Sequence, residues 1–300
     1  MSSRREFLKN VSKGAAVLAA PVSWPTAACS QERLPRRPIP GTDDSLPIIG
    51  LGNSNAFRQG DRQASRELLE IFHERGGEYI DCSGSSRFIV AEVLNEMGAG
   101  SDMFLGTYFM DEDRNGMRDN IRRLLDLTGK ESLDLVHAYP EFAVPNWDLF
   151  REWKDEGLTR YIGISRHRSS YYETMMKLME TGAVDVLQVN YSPLETEADQ
   201  RILPMAMDKG VAVNINRPFI NGEYFSLVSG HELPGWAAEF DCESWAQFSL
   251  KFILSHPAVN CVLTETANPR HAIDNIGAGF GRLPDEATRQ RIVAHLNSLT

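Results

Sequence analysis

The stretch Gly157-Leu-Thr-Arg-Tyr-Ile-Gly-Ile-Ser165 decides the fold, together with Val186-Leu-Gln-Val-Asn-Tyr191, which follows it. Each contains a short run rich in β-branched and aromatic residues, which is typical of a buried β-strand. Longer stretches with apolar residues at three- and four-residue intervals separate such runs, as in Ala64–His73 and Trp245–Leu254. That spacing predicts amphipathic helices, and strands that alternate with helices predict a parallel sheet.

The alternation of strand and helix repeats eight times from Pro47 onward. The predicted strands are Ile48–Leu51, Tyr79–Ser83, Met103–Tyr108, Leu133–Tyr139, Tyr161–Arg166, Val186–Tyr191, Val211–Arg217 and Asn260–Thr264. Eight such units predict an α/β fold closed into a (β/α)₈ barrel, the TIM barrel, as a single domain over residues 46–300.

The N-terminus carries an export signature. Ser3-Arg-Arg-Glu-Phe-Leu-Lys9 matches the twin-arginine (Tat) pattern, and an apolar run from Gly14 to Val22 follows it. This run is too short to span a bilayer, so residues 1–28 are interpreted as a cleaved signal peptide.

Small residues precede a cysteine in Thr26-Ala-Ala-Cys29, as in bacterial lipoprotein signals. This predicts a lipid on Cys29 and a periplasmic or envelope-anchored protein; the alternative is an ordinary small-residue cleavage site. Residues 29–45, rich in Arg, Pro and Asp, are interpreted as a tether.

The charge balance restricts the partners. A formal net charge of −10 argues against nucleic acid and anionic lipid, so the expected partner is a small polar or carbonyl-containing ligand. Membrane contact is expected only through the lipid. Cys82, Cys242 and Cys261 show no zinc-ligand spacing, so no metal is expected, and burial as free thiols is the favoured state.

A barrel of this kind carries its site at the C-terminal ends of the strands. The side chains predicted to meet there are Asn53, Asp81 to Arg87, Tyr108, Tyr139, Ser165 to His167, Gln188, Asn190, Asn216, Arg217 and Thr264 to Thr266.

Several segments, in barrel order, resemble the aldo/keto reductase family. They are Leu46–Gly52, Gly157–Ser165, Gln188–Ser192, Ser255–Leu263 and Asn268–Asn275. The resemblance implies reduction of a carbonyl with NAD(P)H through an Asp, a Tyr, a Lys and a His. In that family the Tyr hydroxyl protonates the developing alkoxide while the lysine cation eases its proton loss.

Only the Asp of that tetrad is retained, as Asp81. The loop Asp81-Cys-Ser-Gly-Ser-Ser-Arg-Phe88 contains no tyrosine, Tyr108 stands where the Lys should be, and Tyr139 stands where the His should be. Strand alternation places His137 one layer deeper than Tyr139, which favours a core residue over a catalytic one.

A buried Asp81 without its lysine needs another cation or several hydrogen-bond donors. Arg87, Arg166 and Arg217 are the candidates near the rim; surface ion pairing of all three is the alternative. The predicted catalytic residues are therefore Asp81, Tyr108, Tyr139, Arg166 and Arg217.

The resemblance also implies a cofactor site. The predicted contacts are Asn53, Ser165, Gln188, Asn190, Asn216, Asn268, His271 and Asn275, although such residues also serve as caps and turns. Glu265 stands where many relatives have Lys or Gly, and a carboxylate there would repel a 2′-phosphate by roughly 1–4 kcal/mol. NAD is therefore favoured over NADP, and binding of no dinucleotide is the remaining alternative.

Two functions remain open. The first is an oxidoreductase that acts on a carbonyl or sugar-like substrate with a non-standard proton donor. The second is a barrel that has lost hydride transfer and acts as a lyase, an isomerase or a non-catalytic protein that binds a small ligand. A partner-binding scaffold has no positive feature in the sequence.

Overall fold

The computed structural model describes residues 33–109 and 113–299. Eight parallel strands close into a barrel in the order β10-β3-β4-β5-β6-β7-β8-β9, which confirms the predicted fold. The strands of the described residues are β1 Arg36–Pro38, β2 Ser45–Pro47, β3 Ile49–Leu51, β4 Tyr79–Ser83, β5 Phe104–Phe109, β6 Leu133–Ala138, β7 Thr159–Arg166, β8 Val186–Asn190, β9 Ala212–Asn216 and β10 Val259–Thr264. The eight predicted strands differ from β3–β10 only at their ends.

Helices connect the strands and surround the barrel. They are α1 Asn55–Arg58, α2 Arg62–Glu74, α3 Ser86–Glu96, α4 Arg114–Thr128, α5 Pro140–Asp155, α6 Tyr172–Glu180, α7 Ile202–Lys209, α8 Glu223–Val228, α9 Trp245–Leu254, α10 Pro269–Gly277 and α11 Glu286–Asn297. Among the described residues, none of these helices is long and apolar enough to cross a membrane.

Side-chain caps fix where several helices begin. Asp61 accepts a hydrogen bond from the Ala64 amide at the start of α2, and Asp285 accepts one from the Thr288 amide at the start of α11. Each cap satisfies an amide that has no partner within the helix, and its negative charge lies at the positive end of the helix dipole.

A β-hairpin closes the N-terminal end of the barrel. β1 pairs with β2 in antiparallel register, and Ile39 and Leu46 are buried against the lower layer of barrel side chains. The Asn260 side chain links this hairpin to the barrel, because it donates to the Pro38 carbonyl at 2.8 Å and accepts from the Val213 amide at 2.8 Å. Arg37 donates to the Leu254 carbonyl at 2.5 Å.

Residues 33–45 of the predicted tether form β1 and bury Leu34 and Ile39 against the barrel, while most of their other side chains are exposed. Their charged and proline-rich composition predicted a solvated linker, and these two apolar side chains are the ones that pack. The predicted signal peptide, Cys29 and the rest of the tether lie outside the described residues.

Two glycines make room for polar groups inside the barrel. A Cβ atom on Gly106 of β5 would lie 2.7 Å from Oδ1 of Asp81, and one on Gly163 of β7 would lie 3.1 Å from Cβ of His137. A real Cβ does not approach as closely as 2.7 Å, so glycine at position 106 permits Asp81 to occupy the interior; at position 163 a Cβ would also lie 2.6 Å from the Val186 carbonyl oxygen, so glycine there permits the close approach of β8. Below Asp81 and His137 lies an aromatic layer in which Tyr79 contacts Phe104 edge to face, with ring centroids 5.0 Å apart.

The predicted burial of the cysteines as free thiols is confirmed. Cys82, Cys242 and Cys261 are all buried and unpaired by disulfides. Burial raises the pKa of each thiol. These groups are therefore protonated and unreactive at neutral pH.

Candidate active site

A polar cavity opens at the C-terminal end of the strands, with an empty volume of about 460 Å³. It is lined by Gly52, Asn53, Asp81, Tyr108, Tyr139, Ser165, His167, Gln188, Asn216, Arg217, Leu263 and Glu265. Ten residues predicted for the site are thus brought together, because the ends of parallel barrel strands converge there.

Asp81 of β4 is the buried centre of this cavity and is 2% exposed. Its Oδ1 lies 3.0 Å from Nε2 of His137, and its Oδ2 accepts a 2.7 Å hydrogen bond from the Gln188 side chain. Each carboxylate oxygen therefore has a donor, which offsets the cost of taking the charge out of water.

Of the two alternatives for Asp81, another cation or several hydrogen-bond donors, the structure shows the donors: His137 and Gln188 rather than an arginine contact its oxygens. Arg87 is buried, but its guanidinium lies 4.5 Å from the Phe109 ring centroid and donates to the Tyr108 carbonyl. His137 takes the position near Asp81 because the intervening strand β5 carries Gly106 between them, with Gly106 in register with Asp81.

His137 is fully buried, and its hydrogen bond fixes its tautomer. An ionised carboxylate can only accept, so Nε2 carries the proton that it donates to Asp81. Nδ1 of His137 has no hydrogen-bond partner among the residues that the structure describes. The imidazole is thus a donor that supports the carboxylate, and it is more than a filler of the core.

Two tyrosines form one wall of the cavity. Tyr108 meets His137 edge to face at a centroid distance of 5.6 Å and stacks on Tyr139 at 5.8 Å. Burial raises the pKa of Tyr108 strongly, although a hydrogen bond with Ser83 opposes this shift. Burial also raises the pKa of Tyr139, and the nearby Arg166 opposes it. Both phenols are consequently protonated at neutral pH and able to donate.

Arg166 lies behind this wall. Its guanidinium stacks between the rings of Tyr139 and Tyr171, 4.1 and 4.7 Å from their centroids, and it donates to Glu141 at 2.5 Å. A cation over an aromatic face is attracted by the ring quadrupole, more strongly when it is shielded from water. Arg166 thus reaches the site through Tyr139 rather than by lining the cavity itself.

A second and wider cavity of about 1150 Å³ adjoins the first, and the two share Arg217 and Glu265. It is lined by Asn55, Arg58, Arg217, Pro218, Phe219, Asn221, Gly222, Phe225, Glu265, Thr266 and Ala267. The Glu265 side chain is 51% exposed and lies 3.4 Å from the Arg58 guanidinium. Partial burial raises the pKa of this carboxyl, and the charge of Arg58 opposes the shift.

The loop after β9, which lines this second cavity, has an unusual backbone. Arg217, Ile220 and Asn221 have φ values of 51°, 50° and 53°. Such left-handed conformations cost non-glycine residues roughly 1–2 kcal/mol each, and a β-branched residue such as Ile220 adopts them rarely. Backbone strain of this kind concentrates where ligands bind.

Four predicted cofactor contacts do not line either cavity. Asn190 donates to Glu195 at 3.0 Å and accepts from Tyr172, so its amide is used within the fold. Asn268 caps α10 and contacts His271 at 3.4 Å, while Asn275 is buried in the same helix. Cofactor contacts by Asn190, Asn268, His271 and Asn275 stay predictions.

Sequence reasoning gave too little weight to His137 and missed Glu141, Tyr171 and Arg58. His137 shares a strand face with Tyr139, and this alternation was the available signal that it points into the barrel. The other three lie outside the strands, where strand alternation does not indicate what a side chain contacts.

Residues 48–295 match the Aldo/keto reductase family, and the chain therefore belongs to this family of oxidoreductases. It is 23% identical over 238 residues to an NADH-specific methylglyoxal reductase from Escherichia coli (strain K12). This alignment covers 67% of this chain and 72% of the relative. It is 24% identical over 248 residues to an aldo-keto reductase from Mycolicibacterium vanbaalenii, with 78% of this chain and 83% of the relative covered.

Solved structures share the fold. An aldo-keto reductase from Klebsiella pneumoniae in complex with NADPH superposes with a TM-score of 0.69 at 18% identity, over 87% of this chain and 93% of that one. The holo form of an aldo-keto reductase from Bacillus halodurans gives a TM-score of 0.68 at 18% identity, over 88% and 96% of the two chains.

The pairing of Asp81 with His137 predicts a large energetic coupling. In a double-mutant cycle with Asp81→Asn and His137→Phe, we expect the two effects on the free energy of unfolding to differ from additivity by about 1–3 kcal/mol. Urea unfolding of the four proteins of the cycle measures this coupling energy. The exposed pair Glu173 and Arg201 is the matched control, and Glu173→Gln with Arg201→Met should couple by less than about 1 kcal/mol. Equal coupling energies in the two pairs would contradict the assignment of a buried hydrogen bond between Asp81 and His137.

Proposed function

We propose that this protein is an NAD-linked oxidoreductase for a small, polar carbonyl compound, with Tyr139 as its proton donor. The observation that carries the proposal is the phenol of Tyr139 on the wall of the cavity that contains Asp81, with the Arg166 guanidinium 4.1 Å from its ring centroid. A nearby cation makes loss of the phenolic proton less costly, which is the property that a general acid needs.

The two phenols of the cavity are suited to different tasks. Tyr139 is the less buried, and the positive charge of Arg166 acts against the rise of its pKa. Tyr108 is more deeply buried and is held by Ser83, so its pKa is raised further and its proton is retained. We assign Tyr108 to orient the substrate carbonyl by a hydrogen bond and Tyr139 to give its proton to the carbonyl oxygen.

The polar groups of the cavity fit a nicotinamide cofactor. Oδ1 of Asn53 and Oδ1 of Asn216 are buried acceptors without a hydrogen-bond partner among the described residues, and both side chains line the cavity. A carboxamide or a ribose hydroxyl carries the donors that they lack. When bound, NADH supplies the hydride to the carbonyl carbon. Ser165 and Gln188, which are hydrogen-bonded to each other, complete the cavity floor.

Glu265 supports NAD rather than NADP as the cofactor. Its carboxylate lies in the wall shared by both cavities, where it can accept hydrogen bonds from ribose hydroxyls but would repel a 2′-phosphate. The Escherichia coli relative is described as NADH-specific, although solved neighbours contain NADPH or NADP. Arg58, 3.4 Å away, reduces this repulsion.

The hydrogen bonds that Gln188 already makes within the protein favour a second function. The Gln188 side-chain nitrogen donates to Asp81 and its oxygen accepts from Ser165, so it has little left for a carboxamide. Asp81 also lines the cavity without an ammonium group beside it. In an isomerase, this carboxylate would remove a proton from the carbon next to a carbonyl while a phenol donates a proton to the carbonyl oxygen. A lyase or a ligand-binding protein without catalysis is consistent with the same contacts.

We also propose that the protein is exported through the twin-arginine pathway and anchored by a lipid on Cys29. The motif around Arg4 and Arg5 and the small residues before Cys29 support this. Fractionation of cells that produce the Arg4→Lys/Arg5→Lys variant tests it: retention in the cytoplasm is expected, and unchanged export would overturn it.

The proton-donor assignment predicts a specific pattern of rates with NADH and methylglyoxal as the assay substrate. Tyr139→Phe should lower kcat by about 10²- to 10⁴-fold, the usual loss for a general acid. Arg166→Met should lower kcat less. Because Arg166 lowers the pKa of Tyr139, and only protonated Tyr139 is active in reduction, its removal should move the alkaline limb of the pH profile to higher pH.

Tyr171→Phe is the matched control, since Tyr171 contacts the other face of Arg166 but does not line the cavity. It should leave the rate nearly unchanged. Full activity of Tyr139→Phe would refute its role. Exchange of substrate hydrogen with D₂O in the absence of any nicotinamide nucleotide, combined with no NADH binding, would instead establish the isomerase.

The cofactor assignment predicts that the protein binds NADH at least about tenfold more tightly than NADPH, as 1.4 kcal/mol of repulsion requires. Glu265→Lys should reverse the preference, because the ammonium attracts the 2′-phosphate. Calorimetric titration measures both affinities. The exposed Glu286→Lys is the control for added charge and should keep the NADH preference; equal affinity of the unaltered protein for both nucleotides would contradict the assignment.

A further inference from the structure

We infer that the substrate carries an oxyanion, a carboxylate or a phosphate, and that Arg217 binds it at the rim of the cavity. The inference rests on the proposed function, since it names the substrate class of the same site: small hydroxylated carbonyl compounds with one anionic group. The argument depends on the surroundings of Arg217, on the charges around the rim and on the polar atoms of the cavity.

Arg217 is a partly buried cation without an ion-pair partner among the described residues, and its charge opposes the rise that burial causes in the pKa of the Glu265 carboxyl. Its Nε donates to the Asn221 side chain at 3.2 Å, and among the described residues no carboxylate oxygen lies within ion-pair distance of its guanidinium. The other arginines near the site differ, because Arg58 pairs with Glu265 and Arg166 pairs with Glu141. Most of the N–H donors of Arg217 therefore remain for a ligand in the cavities that it lines.

Three arginines bring positive charge to the rim near His167 in a protein with a net charge of −10, and the carboxylate of Glu265 lines the same two cavities as Arg217. Burial lowers the pKa of His167, and the positive charges of Arg217, Arg166 and Arg168 lower it further. Glu195 acts in the opposite direction but less strongly. A positive region of this kind favours an anionic ligand over a neutral one, and it accelerates the encounter with an anion.

The floor of the cavity is polar rather than apolar. Leu263 is its aliphatic side chain, whereas Asn53 and Asn216 present acceptor atoms that have no partner among the described residues. An alkyl chain would leave these acceptors unpaired at a cost of about 1–3 kcal/mol each, whereas a hydroxyl group can donate to them. The cavity therefore suits a hydroxylated chain with its anionic end at Arg217.

The backbone holds Arg217 in place at an energetic cost. Its φ of 51° is unfavourable for an arginine, and its carbonyl accepts from the Ile220 amide at 3.0 Å, which closes a turn. A residue that served only solubility would not require such a conformation. Asparagine tolerates this left-handed region, so Arg217→Asn removes the charge without adding strain.

The test is calorimetric titration of the purified protein, without nucleotide, with three matched three-carbon probes: glycerol, D-glycerate and glycerol 3-phosphate. We expect at least one of the anions to bind about tenfold or more tightly than glycerol, and the tighter anion identifies carboxylate or phosphate. Arg217→Asn should abolish the difference, whereas Arg217→Lys should retain part of it. Arg201→Gln, which removes an exposed arginine elsewhere, should change nothing. Thermal melting confirms that each variant is folded.

The inference is overturned if both anions bind no better than glycerol, if neither binds at millimolar concentration, or if the preference persists in Arg217→Asn. It is also overturned if Arg217→Asn weakens NADH while leaving the anion preference intact, because Arg217 would then serve the cofactor. Failure of the proposed function would give a different result. If the protein binds anions through Arg217 but does not bind NADH, the proposed redox activity is refuted and the inference about Arg217 stands.

Discussion

A buried carboxylate imposes the main constraint on this barrel. Asp81 is almost inaccessible to water, so the fold must supply donors to both of its oxygens, and it does so with His137 and Gln188. This requirement reaches the neighbouring strand β5, because Gly106 must lack a side chain to admit Asp81. The layer of Tyr108 and Tyr139 then rests on the imidazole, and the polar cavity lies above it.

In the proposed function the site keeps the carboxylate of Asp81 and takes its positive charge from guanidinium groups. Two such groups lie near the cavity. One acts through the face of Tyr139, and the other lies in the loop after β9. A guanidinium is planar and always charged, so it can stack on a ring or hold an oxyanion in ways that an ammonium cannot. These properties favour a change of proton donor and of substrate over simple loss of the site.

The sequence was sufficient for the barrel and for most of the cavity. Periodicity located all eight strands, and convergence of their ends then brought Asn53, Asp81, Tyr108 and Gln188 together without knowledge of any contact. The sequence was not sufficient to identify which side chains hydrogen-bond to one another inside the barrel. Which donor reaches Asp81 depends on the empty space at Gly106, and the packing of residues 33–45 depends on two apolar side chains in a charged segment. Such facts are set by tertiary packing.

The hairpin at the closed end of the barrel has a consequence for synthesis on the ribosome. Its anchors are the Leu254 carbonyl, which accepts from Arg37, and the Asn260 side chain, which donates to Pro38. Both follow the hairpin by more than 200 residues. These two contacts can therefore form only after residue 260 has been translated, long after the hairpin itself.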